Sequence, residues 1–236
     1  MIRGNSISTS FVFVSLSDRR WQVPWGKHTD ARDRDVHSTE KAKEINKDDV
    51  LPIVTIRNPW RWMASMCANP YAARWRHFRQ CPNLLEQSST TAENGSDNWN
   101  NVTVKYGVGP RMYPSLVHLW NEWYNAYKQH AEYPFIIIRM EDLVFHTKET
   151  ITAVCECAGG RIRDDRKFVY VVDSAKKDSP GHDTTTGLAE AWIKYSKPLA
   201  ANGGFEYDDY RAALKALDHE LIDLFHYSNP LPKNGI

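Results

Sequence analysis

The chain has little of what would place it in several broad classes. Its 236 residues hold four cysteines, too few and too scattered for the disulfide framework of a small secreted scaffold. Cys155 and Cys157 stand two apart in a helical pattern and point in different directions, so they form no metal motif. Cys67 and Cys81 could pair if the compartment is oxidising. No run of about 18 apolar residues occurs, so no membrane span is encoded. The apolar stretch at residues 11–16 is too short and too interrupted by serine to serve as a signal-peptide core, so a luminal enzyme would carry its anchor elsewhere. A large basic excess is missing too, and the net charge of +1 argues against a general nucleic-acid binder. The Gly-x-x-x-x-Gly-Lys-Ser/Thr loop and a magnesium-holding carboxylate pattern are absent, which argues against a nucleotide kinase or hydrolase. There is no internal repeat.

What is present suits a substantial core, since 42% of the chain is hydrophobic and 12% aromatic. Apolar strand-like runs alternate with amphipathic helical patterns, which implies one α/β domain over residues 1–236, a sandwich with a mainly parallel sheet. Strands are expected at 11–16, 53–56, 134–139 and, shorter, at 168–172. A helical region should run from Pro59 towards residue 85, and another over 113–131, with Leu116, Leu119, Trp120, Trp123 and Tyr127 on one face. A third should start near Thr147 and end at Gly159-Gly160, and a closing helix should span 208–227. Residues 30–49, dense in both charge signs, read as a solvated helix or surface connection. A polar insertion at about 86–105 reads as an exposed loop. It carries the sequons Asn94-Gly-Ser and Asn101-Val-Thr, which lean towards a secretory compartment such as the Golgi lumen.

Charge is unevenly placed, because residues 57–79 contain five arginines and no acid. Arg57 closes an apolar strand, Asn58 is a good N-cap and Pro59 suits the first helical turn. Unpaired helix N–H groups should then face the strand end and favour an anion. Ligands of α/β sheets bind beyond the carboxyl ends of the strands. That directs attention to residues 57–65 and 139–142, and to the irregular loop holding Lys27 and His28.

The run Ile56-Arg57-Asn58-Pro59 followed by Ser65 resembles the 3′-phosphate-binding motif of sulfotransferases, with a strand-end arginine and a helix serine eight residues later. Two further stretches are similar to that family. Ile138-Arg139-Met140-Glu141-Asp142-Leu143 resembles its strand ending in Glu-Asp-Leu, and residues 217–227 resemble its last helix. The resemblance spans roughly residues 20–228 and implies a three-layer, P-loop-type α/β fold. It also implies transfer of a sulfuryl group from 3′-phosphoadenosine 5′-phosphosulfate to a hydroxyl or amine, of a carbohydrate or other small molecule, with no metal. Arg57 and Ser65 would hold the 3′-phosphate, and Lys176 and Lys177, in a late glycine-containing loop, would close over the nucleotide. His28 would take the acceptor proton and Lys27 would stabilise the bridging oxygen, although here Lys and His are adjacent where the family spaces them by one residue. Glu141 is a rival base.

The chain departs from the family at its start. Residues 4–10 have small side chains but neither the lysine nor the inner glycine of the loop that cradles the 5′-phosphosulfate. The expectation is therefore either an N-terminally incomplete sulfotransferase or a catalytically impaired, sulfotransferase-like nucleotide-binding protein.

Overall fold

In the computed structural model, which describes residues 23–26, 28–36, 43–75, 81–82, 84–85, 101–105, 109–162, 167–170, 172 and 187–231, the apolar run after Pro52 forms strand β1 (Ile53–Ile56). It pairs in parallel with β5 (Ile136–Arg139), the second apolar run, in the register Ile53 to Ile136 and Ile56 to Arg139. β5 thus ends on Arg139 and β1 is followed at once by Arg57, at the same edge of the sheet. The Pro52 carbonyl accepts from Ile136 N–H, so by strand alternation the Thr55 and Arg57 carbonyls point away from β5. Helix α2 (Leu116–His130) satisfies these two, with Tyr124 donating to Thr55 O at 3.2 Å and Trp120 Nε1 to Arg57 O at 3.1 Å. A small parallel sheet flanked by helices is the α/β architecture expected from the alternating pattern. The other described sheet is antiparallel, with β2 (Ala73–Arg74), β3 (Val102–Val104) and β4 (Arg111–Tyr113) in that order.

Helix α1 (Pro59–Ala68) follows β1 directly, and Trp60 and Met63, three apart, are fully buried. Trp60 packs on Tyr210 and Phe205 and donates from its indole to Asn229. The turn at residues 201–204 lies so close to this indole that a β-carbon on Gly203, whose φ is +67°, would meet the ring at 2.7 Å. A side chain there would meet both steric and backbone strain.

Several expectations need correction. The helix does not continue towards residue 85: it stops at Ala68, and residues 73–74 form β2. The stretch read as polar loop ends in β3, whose Val102 and Val104 are buried beneath a half-buried Thr103. The described part of 168–172 takes no strand conformation, and Val169 and Val172 are exposed. After β5 come α3 (Met140–Phe145) and α4 (Thr147–Cys157), the latter ending at Gly159 as anticipated. Beyond α5 (Leu188–Ser196), the expected closing helix is two, α6 (Tyr207–Ala216) and α7 (His219–Leu224). The break is chemically satisfied: Asp218 caps α7 through Leu221 N–H, Asn121 of α2 bonds both Ala216 O and Asp218 N–H, and Asn125 bonds the Asp218 carboxylate.

Residues 30–36 are not a solvated connection. Asp30 and Asp33 are buried in a short 3-10 turn (Ala31–Asp33) packed against α2. Arg111 of β4 grips Asp33 with two bonds of 2.6 and 3.0 Å and reaches Asp30 at 3.3 Å, while Arg32 folds back on Asp30 and touches the Tyr113 hydroxyl. Charge pairing makes this burial possible.

Cys67, in the last turn of α1, is disulfide-bonded to Cys81. Cys155 and Cys157 are free thiols. A loop of this length should contribute about 3 kcal/mol. Reduction, or Cys81→Ser, should lower the midpoint of urea unfolding accordingly; an unchanged midpoint would show that the crosslink adds nothing. No described helix is long and apolar enough to cross a membrane.

Candidate anion-binding site

The carboxyl ends of the paired strands β1 and β5 bring Arg57, the residue after β1, and Arg139, the last residue of β5 and the ladder partner of Ile56, to the same edge, just before α1 and α3. The amino end of α1 is fully engaged. Asn58 Oδ1 accepts from the N–H groups of Trp60 and Arg61, Asn58 O accepts from Trp62, and Pro59 has no donor. The remaining N–H, that of Asn58, donates to Glu141 Oε1 at 3.1 Å. The positive pole of this helix therefore already faces a carboxylate. This corrects the expectation of unpaired N–H groups open to a ligand. It also gives Glu141 a structural role, because its second oxygen accepts from the buried Tyr227 hydroxyl at 3.0 Å. Burial, and next Glu141, push the Tyr227 phenol up strongly. A carboxylate held on both oxygens is a poor general base.

Side chains supply the free positive charge. The Arg57 guanidinium lies over the Tyr195 ring of α5, 5.2 Å from its centroid, and Arg61 lies over the same ring at 5.3 Å. The two arginines differ in what else they do. Arg61 donates to the carbonyls of Lys194, Tyr195 and Lys197 and so closes the carboxyl end of α5. Arg57 has a buried Nε with no hydrogen-bond partner among the described residues. Lys194 completes the group: burial first, and then the fields of Arg57 and Arg61, lower its pKa. Among the described residues none of these three cations makes an ion pair. The Glu141 carboxylate acts on the same Tyr195 ring but is held by Asn58 N–H and Tyr227, and three cations gathered beside it are stabilised by a bound anion.

Ser65 is half-buried on α1. Seven residues at about 100° each bring it nearly back to the azimuth of Asn58, roughly 10 Å further along the axis. No described contact joins Ser65 to Arg57. His28 is at the other end of α1, half-buried, with its ring stacked against Tyr71 at 6.0 Å. Lys27, Lys176, Lys177 and the loop at 4–10 lie outside the described residues. Reading the sequence missed Lys194 and Tyr195, which come from a helix more than a hundred residues downstream and carry no local signal. It did separate Arg57 from Arg61 by position, as strand end against helix interior.

Comparison with known proteins adds no assignment, since no protein-family model, curated protein or solved structure matches the chain.

Proposed function

We propose that the chain is a sulfotransferase of P-loop-type fold that binds 3′-phosphoadenosine 5′-phosphosulfate and sulfates a hydroxyl, or an amine, of a carbohydrate acceptor. The observation that carries this reading is Arg57, a cation at the carboxyl end of a parallel strand whose buried Nε has no described partner. Arg57, with Lys194 beside it and Ser65 along α1, forms the 3′-phosphate end. A guanidinium suits a phosphate because its planar donors match two oxygens at once. His28, at the opposite end of the same helix, forms the acceptor end. In the transfer, the acceptor oxygen bonds to sulfur as the bond from sulfur to the 5′-phosphate oxygen breaks. The acceptor proton passes to the His28 imidazole, and 3′-phosphoadenosine 5′-phosphate leaves with its charge met by Lys27. The Cys67–Cys81 disulfide and the two sequons support an oxidising, secretory setting.

Titration of the chain with 3′-phosphoadenosine 5′-phosphate tests the first half of the reading, and turnover with the sulfate donor and a panel of sugars and phenols tests the second. Binding with turnover on sugars is the expected result. Binding without turnover would leave a nucleotide-binding protein of sulfotransferase type, and no binding would remove the 3′-phosphate assignment. His28→Ala should lower kcat by about 100-fold or more while nucleotide affinity holds; retained turnover would remove His28 as the base.

A further inference from the structure

The chain leaves α1 in an unusual way. Asn69 donates to Ser65 O to close the helix, Pro70 follows, and Tyr71 then takes a φ of +52°. Ala73 N–H donates to Pro70 O at 2.9 Å, so Tyr71 is the second residue of a tight turn. That position with positive φ belongs to glycine, asparagine or aspartate, because a β-carbon there crowds the backbone. A bulky aromatic in this conformation is a true outlier and persists only where its surroundings hold it. Here Arg74 reaches back to bond the Tyr71 carbonyl.

The strained backbone brings no burial to the ring, which is left 51% exposed. What the ring gains is a neighbour. It faces the His28 imidazole with 28° between planes and 6.0 Å between centroids, an offset stack. The segment bearing His28 is itself firmly seated: Trp25 is buried, and the Thr29 hydroxyl bonds the Trp25 and Gly26 carbonyls. One side of the pair is thus fixed by a buried turn and the other by a strained one.

We propose that Tyr71 is the positioning residue for His28: its strained turn presents an aromatic face that sets the imidazole plane at the carboxyl end of α1. This rests on the reading of His28 as the group that takes the acceptor proton. Arg57 and His28 then mark the two ends of one ten-residue helix, about 15 Å apart along its axis, with Ser65 between them. The electron-rich ring face also favours the imidazolium that forms when the proton arrives.

The test compares Tyr71→Phe, which keeps the ring, with Tyr71→Gly, which removes it and accepts the positive φ. The His28 ring signals are followed by NMR in the full chain and assigned by their loss in His28→Ala. The Phe variant should leave them in place. The Gly variant should shift them towards those of a solvated histidine, with a melting temperature equal to or above the parent's. It should also lower kcat at least tenfold, with affinity for 3′-phosphoadenosine 5′-phosphate within twofold of the parent's. If the Gly variant fails to fold, Tyr71→Asn gives the same comparison. His28 signals unmoved by loss of the ring would overturn the proposal. A parent chain with the ring-dependent shift but no nucleotide binding would retain the pairing and overturn the sulfotransferase reading.

Discussion

Arg57→Ala should weaken binding of 3′-phosphoadenosine 5′-phosphate by about 10- to 100-fold, whereas Arg61→Ala should change it by less than about threefold. The two residues are four apart, carry the same charge and lie over the same tyrosine ring, so composition gives no reason to separate them. Their hydrogen bonds do. Arg61 is committed to the carbonyls that end α5, and its loss should appear as a lower melting temperature. Arg57 interacts with the Tyr195 side chain but keeps a buried Nε with no partner among the described residues, and a phosphate bound by two charge-assisted hydrogen bonds loses both when it is removed. Arg57→Lys should fall between, because an ammonium keeps the charge without the fork. Isothermal titration at fixed salt is the measurement, since an anion site is screened by added ions. Equal losses at Arg57 and Arg61 would mean that the cluster acts only as a diffuse positive field.

The largest effect on stability is expected at Arg111→Ala, about 3–5 kcal/mol. The Asp30 and Asp33 side chains are 0% and 1% exposed, and Arg111 bonds both. Without it, Asp33 has no cation partner among the described residues, and Asp30 depends there on Arg32 alone. An uncompensated carboxylate at that depth consumes a large part of a typical domain's stability of about 5–15 kcal/mol. Urea unfolding should show a lower midpoint with an unchanged slope. A change under about 1 kcal/mol would show that Arg32 and local relaxation suffice. The same variant bears on the site, because the buried acids anchor the segment that follows His28.

Much of this architecture is legible in local pattern. The apolar runs around 53–56 and 134–138 read as strands of a parallel sheet, and they pair in that way, although β1 alternates between exposed and buried residues. Asn58-Pro59 announces the start of α1, and Leu116 to Tyr127 trace the buried face of α2. The errors share a physical origin. Residues 30–36 look solvated because a lone sequence shows charges but not their partners, and Arg111 is about eighty positions away. The closing helix looks continuous because its apolar period runs through residue 218, and only the two asparagines of α2 make a break there favourable.

The segment from Arg57 to Ser65 illustrates the division. Its residues and spacing alone specify a strand end, a cap, a proline-led helix, and a cation and hydroxyl along it, since each depends on neighbours within a turn or two. Which of those groups stays available to a ligand is a question of distant partners. Glu141 fills the helix pole, the end of α5 occupies Arg61, and Lys194 leaves Arg57 among like charges. The turn at Tyr71 is likewise a property of the folded chain, because a φ of +52° on tyrosine is unfavourable by itself and occurs here with the Arg74 bond to its carbonyl and the distant His28 ring beside it.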